Sequence, residues 1–401
     1  MDEPAAHPDR FRLAIVVPRY GPEIGGGIEA LARMYATRLA ARMDVTVLTT
    51  CALDYRTWRD HHPPGESRDG DATVLRFPVP EPRDEATFDA HSARVLPSPG
   101  RASRADQERW MDLQGPNSPG LMAHLRDHGA EYDAVLFMPY LYATTVRGIG
   151  LVADRAVMQP AVHDEPPLAL GIFDDAVAHA RGFVFNTPEE RDRFAARFGR
   201  GAGDPVVGAG IDPPPAADAA RARNAVGVEG DYLLYLGRVD PSKGVGALLA
   251  AHERLVADVP GAPALVLAGG SVMDLPDHPW LRSPGFVDDA TKHGLLAGAL
   301  ALVTASPFES LSLVLLEAWS HGRPTLCAAG TDVLVGQTRR AGGGLWFADP
   351  DEYVECVDLL MRQPPVAWAL GRQGRRFASA QAWPAVIDRL EAALRAASPT
   401  R

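Results

Sequence analysis

Cysteine is almost missing from this chain. Cys51, Cys327 and Cys356 are the only three in 401 residues, and no two stand at a metal-ligand spacing. A disulfide framework is therefore excluded, and so is a thiolate metal site. Long apolar runs are missing too: the longest are of strand length, short of the roughly 20 residues a membrane-spanning helix needs. Met1 to Arg10 is polar and acidic with two prolines, the wrong make-up for a secretory signal. Basic residues are in deficit, with 40 Lys+Arg against 51 Asp+Glu and a formal net charge of −11. That balance argues against nucleic acid as a partner. No Walker loop, no Gly-x-Ser-x-Gly elbow and no His/Cys/carboxylate cluster with metal spacing occurs. Asp69-Gly70-Asp71 imitates an Asp-x-Asp metal motif, but it precedes a strand and reads as a solvated turn; Asp349-Pro350-Asp351 reads as a turn and helix start. The expected setting is a reducing cytoplasm, with no transmembrane segment and neither metal nor cofactor.

What is present is an ordinary globular composition, 46% hydrophobic and 23% charged, at a length that supports two domains. A β-branched strand at Phe11–Pro18 runs into the glycine-rich turn Gly25-Gly26-Gly27, and a long Ala/Leu/Arg helix follows. Strand, glycine turn, helix is the opening of a Rossmann-like unit, although the dinucleotide fingerprint Gly-x-Gly-x-x-Gly is absent. Further strands are expected at 45–49, 72–77, 134–138, 156–159, 182–186 and 206–209. Residues 51–119 are expected to be variable loops and short helices carrying specificity. Thr187-Pro188-Glu189-Glu190 reads as a capping box with proline at N1. Asp212-Pro213-Pro214-Pro215-Ala216-Ala217 is a stiff linker. Beyond it strands are expected at 232–236, 264–268, 285–287, 299–304, 324–328 and 344–347, with helices between them and a helical end broken at Trp383-Pro384. Strands separated by helices throughout imply parallel sheets covered on both faces, with ligands at the carboxyl ends of the strands.

Three groups of residues carry chemistry. Pro307 to Pro324 leads from a buried strand into a helix that starts no earlier than about Leu311, with Ser310 and Ser312 both suited to its cap. The helix is apolar nearly all round, yet it contains Glu317, and Glu309 sits in the loop before it. Carboxylates framing a helix N-terminus need partners and suit a ligand with hydroxyls and phosphates; the plain alternative for Glu317 is an exposed position. Arg238 and Lys243 share one strand-to-helix loop between Gly237 and Gly244, where they form either a diphosphate grip or two solvated surface cations. His163, just past a strand in His-Asp-Glu-Pro-Pro, is either chemical or structural.

Taken together, these motifs resemble glycosyltransferase family 4, the retaining glycosyl transferases group 1 of GT-B fold. The marks are Glu-x7-Glu as Glu309 to Glu317, Gly-Arg-x4-Lys-Gly as Gly237 to Gly244, the glycine-rich first loop, and His163. The resemblance implies an α/β architecture of two Rossmann-like domains facing each other across a cleft. It divides the chain into an acceptor-binding domain, 1–212, rejoined by the C-terminal helix 380–401, and a nucleotide-sugar-binding domain, 213–379. It implies that Gly25 and Gly26 approach the donor phosphate and acceptor, and that Arg238 and Lys243 bind the diphosphate. Glu309 would contact the transferred sugar, Glu317 the ribose, Phe286 and Val287 the base, and His163 would orient the donor sugar. The usual Glu-Gly-Phe-Gly-Leu is replaced by Glu309-Ser310-Leu311-Ser312-Leu313, whose backbone N–H groups remain available to the donor while the sugar pocket walls change. The implied activity moves a sugar from a UDP- or GDP-sugar to a hydroxyl of a carbohydrate, lipid-linked sugar or natural product, by front-face attack without a metal. Peripheral membrane contact is compatible with it. Other readings are a GT-B epimerase or phosphorylase and a non-catalytic sugar-nucleotide-binding partner.

Overall fold

The computed structural model describes residues 10–24 and 27–399. The chain divides into two compact units: residues up to Gly208 together with those from Ile387 onward, and Ala209–Val386 between them.

The first unit holds a seven-stranded sheet. Its strands are β1 (Arg12–Val16), β2 (Asp44–Thr50), β3 (Gly65–Asp69), β4 (Ala72–Phe77), β5 (Ala134–Phe137), β6 (Ala156–Met158) and β7 (Gly182–Phe183). They lie in the order β3-β4-β2-β1-β5-β6-β7. Ile15 pairs with Val47 on one side and Leu136 on the other, both in parallel register. Strand order reverses at β1, between β2 and β5, so the loops after β1 and β5 form this sheet's topological switch point. The expectation of a purely parallel sheet fails at one edge. β3 runs antiparallel to β4, with Asp69 opposite Ala72 across a turn at left-handed Gly70. The strand expected at 182–186 stops at Phe183, and the one expected at 206–209 is a single bridge, Phe185 to Val206. Residues 51–119 contain two regular helices, Glu85–Val95 and Arg104–Gln114, capped by the side chains of Asp84 and Ser103.

The second unit holds β8 (Tyr232–Leu236), β9 (Ala264–Ala268), β10 (Leu281–Gly285), β11 (Ala301–Thr304), β12 (Thr325–Ala328) and β13 (Gly344–Phe347). They form a wholly parallel sheet in the order β10-β9-β8-β11-β12-β13. Both faces are buried, and the period-2 alternation of side chains distributes them between two cores. Leu233, Tyr235, Leu265, Leu267 and Val303 enter one core, beneath helices Val245–Asp258 and Pro350–Arg362. Tyr232, Leu234, Val266 and Leu302 enter the other, with Leu315, Leu316 and Trp319 of helix Leu313–Ser320. β10 begins and ends earlier than the strand expected at 285–287, so Phe286 and Val287 follow it rather than belong to it. This strand tolerates Pro284 because it is an edge strand. Here the order reverses between β8 and β11. The loops after β8 and β11 carry Arg238, Lys243 and Glu309.

Candidate functional site

The loop after β8 is bent by glycine. Gly244 has φ 72°, and a Cβ there would collide with the backbone carbonyl of Ala305, at the end of β11. Only glycine permits that approach, and the approach brings Lys243 to the loop after β11. Its Nζ lies 3.1 Å from Glu309 Oε1 and 3.4 Å from Ser306 Oγ. The same loop is braced by Asp240, whose carboxylate accepts from Ser242 N at 2.8 Å and meets Arg238 Nε at 2.9 Å. Burial raises the Asp240 carboxyl, but these hydrogen bonds and the Arg238 and Lys243 charges take it below its usual range.

Ser312 stands at the N-cap of helix Leu313–Ser320, but its hydroxyl caps nothing. Its backbone is instead clamped by buried Gln337, which accepts from Ser312 N at 3.1 Å and donates to Ser312 O at 3.0 Å. The expectation that serine side chains cap this helix is thus corrected, and of the amides at 311–313 that of Ser312 is committed to Gln337. Trp319 anchors the helix further on by donating to Gly343 O at 2.9 Å. With both ends fixed, Glu317 is held at the half-buried flank, where Lys292 Nζ reaches its Oε1 at 3.2 Å and Asp289 Oδ1 at 3.3 Å. Burial lowers the Lys292 ammonium, but the Glu317 and Asp289 carboxylates outweigh that and leave it raised. The exposed alternative for Glu317 does not hold: its side chain is 23% exposed and paired. Phe286, by contrast, is 87% exposed just ahead of helix Asp289–Gly298, which is capped by Asp288.

Lys292 is the residue that motif reading missed. The signal was compositional: the whole sequence contains two lysines, Lys243 and Lys292. One sits on Glu309 and the other on Glu317. A compact ammonium on a flexible stem can leave a carboxylate for a phosphate or hydroxyl more readily than a forked guanidinium can. Among the described residues no group of three His, Cys, Asp or Glu gathers in a way that could hold a metal ion.

In the first unit, Gly25 and Gly26 lie outside the described residues. Arg19 pairs with buried Glu29 at 2.7 Å and donates to Leu53 O at 2.9 Å. Asp69, read from sequence as a solvated turn, is a structural anchor: it accepts from Arg33 Nε at 2.7 Å and from Tyr20 OH at 2.9 Å. Tyr142 packs edge-on to Trp58 at 5.2 Å, and Tyr140 is buried, donating to Glu165 at 2.9 Å. His163 lies in the turn after β6 with Nδ1 3.4 Å from Glu165 Oε1.

A family model described as Glycosyl transferases group 1 matches residues 230–363. The match covers about a third of the chain. It spans the β8 loop, both lysines and both site carboxylates. Two curated relatives are named D-inositol 3-phosphate glycosyltransferase. The one from Catenulispora acidiphila is 30% identical over 63% of this chain and 66% of its own length. The one from Geodermatophilus obscurus is 31% identical over 59% of this chain and 58% of its own. The chain thus spans less than two thirds of the length of these relatives. Solved structures match nearly the whole chain. Sucrose-phosphate synthase from Thermosynechococcus elongatus covers 96% of this chain and 99% of its own at TM-score 0.69 and 17% identity. Anabaena HepE, in complex with UDP-glucose, covers 96% and 100% at TM-score 0.69 and 16% identity. At such identities the likeness shows the fold alone, which is GT-B.

Proposed function

We propose that this chain is a retaining glycosyltransferase that moves a sugar from a nucleoside-diphosphate sugar to an acceptor hydroxyl, without a divalent metal. The observation that carries the reading is the pairing of each lysine with one carboxylate, Lys243 with Glu309 and Lys292 with Glu317. The first pair belongs to the loops at the switch point of the second sheet, where ligands of such sheets bind.

The second unit takes the donor and the first unit the acceptor. A diphosphate draws Arg238 away from Asp240 and Lys243 away from Glu309, and Glu309 then accepts from hydroxyls of the transferred sugar. Glu317 accepts from the ribose hydroxyls, with Lys292 balancing its charge, and exposed Phe286 with half-buried Val287 supplies a face for the base. In the reaction the bond from the anomeric carbon to the phosphate oxygen breaks. The acceptor oxygen bonds to that carbon on the same face, and its proton passes to the departing phosphate. The negative charge gathering on the diphosphate is met by the two cations and by the amide of Leu313, groups already in place before the reaction. His163, in the first unit, is read as a residue of the transfer reaction. UDP-glucose is the donor to try first, given the complex of the structural relative, and D-inositol 3-phosphate the first acceptor, given the names of the curated relatives.

The test is a panel of UDP- and GDP-sugars with and without D-inositol 3-phosphate and simple sugar phosphates. Nucleoside diphosphate release is followed, and the anomeric configuration of the product is read by proton NMR. Acceptor-dependent release with an axial-to-axial outcome, surviving EDTA, is expected. An isomerised donor or a sugar 1-phosphate would replace this reading with an epimerase or phosphorylase. Activity lost to EDTA and restored only by a divalent ion would refute the metal-free mechanism.

A further inference from the structure

Glu190 was expected to complete a capping box, and the structure gives its carboxylate another task. Thr187 caps helix Pro188–Phe198 as expected, accepting from Glu190 N at 3.2 Å. The Glu190 side chain, fully buried, bypasses the N-cap amide. One oxygen accepts from Asn186 N at 2.6 Å, and the other from Val162 N at 3.3 Å. Val162 lies between His163 and Ala161, which holds φ 54°, a left-handed conformation costly for a residue with a Cβ. The rest of that turn is tied as well. Tyr140 N donates to Pro160 O at 3.0 Å, Arg193 meets Asp164 at 3.3 Å, and Tyr140 OH holds Glu165. An isolated buried carboxylate is expensive, and the helix already had its cap, so the cost is accounted for by what Glu190 does to the turn.

We propose that Glu190 is a positioning residue for His163: its two oxygens tie the strained turn that presents the imidazole to the start of the next helix. This rests on the reading of His163 as a residue of the transfer reaction. Only the carboxylate accepts on both oxygens; a glutamine or a protonated acid would have to turn a donor toward one of the two amides. The titratable and charged groups that face Glu190 are His163 on the turn and Tyr35 from helix Gly27–Leu39, with Arg389 of the C-terminal helix acting on Tyr35.

The variant to make is Glu190→Gln, which keeps the volume. Transfer kcat is expected to fall about tenfold to a hundredfold, as for a catalytic group misplaced by an ångström or less, with donor KM changed less than about threefold. If Glu190 acts through His163, the His163→Ala/Glu190→Gln pair loses no more than His163→Ala alone. Two readouts need no substrate. In the variant the Val162 amide exchanges faster, and the backbone amide NMR signals of Val162 and His163 move as the turn loses its tie. If exchange and amide signals are unchanged, the positioning role is overturned whatever the activity. If both change while His163→Ala leaves turnover intact, positioning stands and the reading of His163 in the reaction falls. Should Glu190→Gln not fold, Glu190→Asp, which keeps the charge but shortens the reach to the Val162 amide, takes its place, and an unchanged Val162 exchange rate overturns the proposal.

Discussion

Lys243 and Glu309 are both partly exposed, so their pairing contributes little to stability, about 0–1 kcal/mol. Their replacement should therefore separate fold from function. Lys243→Ala and Glu309→Ala are each expected to keep the wild-type unfolding midpoint within a few degrees while lowering turnover about 10²–10³-fold, the loss seen when one preorganised charge-stabilising group is removed. Near wild-type turnover in both would defeat the site assignment. Lys292 gives a sharper test because no motif pointed to it. Lys292→Ala leaves Glu317 half-buried without its cation, and UDP or GDP affinity measured by calorimetry should weaken about tenfold, or 1.4 kcal/mol. Unchanged affinity would show that Lys292 only solvates the helix. Glu309 and Glu317 were legible in the sequence because carboxylates in an apolar context need a reason to be there. Their partners were not, because 66 residues separate Lys243 from Glu309 and only the sheet order brings them together.

At the level of elements, helix Leu313–Ser320 shows what patterning can and cannot reveal. Its apolar face was plain, since Leu315, Leu316, Ala318 and Trp319 are all buried. Its start was not, because the serines that favour a cap by type leave the task to Gln337, one helix later in the chain. Gln337→Leu is predicted to leave Ser312 N and O unpaired and buried, at about 1–3 kcal/mol for each group. The unfolding free energy in urea should fall by at least the lower figure, and donor affinity should fall with it, since the clamp sets where Glu317 stands. A stable Gln337→Leu protein with normal donor affinity would contradict that role. The strands divide in the same way. Tyr232–Leu236 and Ala264–Ala268 end where the sequence places them, because central parallel strands read as continuous apolar runs. Gly65–Asp69 was invisible for the opposite reason. Gly-Glu-Ser-Arg-Asp has no apolar alternation, and its place comes from a left-handed glycine turn and the Asp69 contacts to Tyr20 and Arg33.

For the molecule as a whole, the two units are predicted to answer acid differently. In the second unit, burial lowers His252 to about 4; burial and then the charges of His293, Arg323, Arg375 and Lys292 lower His321 to about 4. Unfolded, both histidines would titrate near 6.5. Between pH 6.5 and 4 the unfolded second unit therefore binds more protons than the folded one, and its stability falls as pH falls, by about 1–3 kcal/mol for each histidine. In the first unit His62 and His124 are lowered too, but Glu190 acts in the other direction. Burial raises Glu190 to about 7, against the pull of the Asn186 amide, the His163 charge and the Val162 and Ala161 amides. A carboxyl raised above its unfolded value near 4.5 favours the folded state increasingly as pH drops from 7 to 4.5, and this offsets the first unit's histidines. Hydrogen exchange read by mass spectrometry in urea at pH 7.5 and 5.0 should thus show residues 209–386 losing protection ahead of residues 27–208 at the lower pH. His321→Gln should remove part of that loss, because a group that never takes a proton contributes no slope. Equal loss in both units, or a first unit that opens before the second, would show that the buried histidines and Glu190 do not govern acid stability in this range.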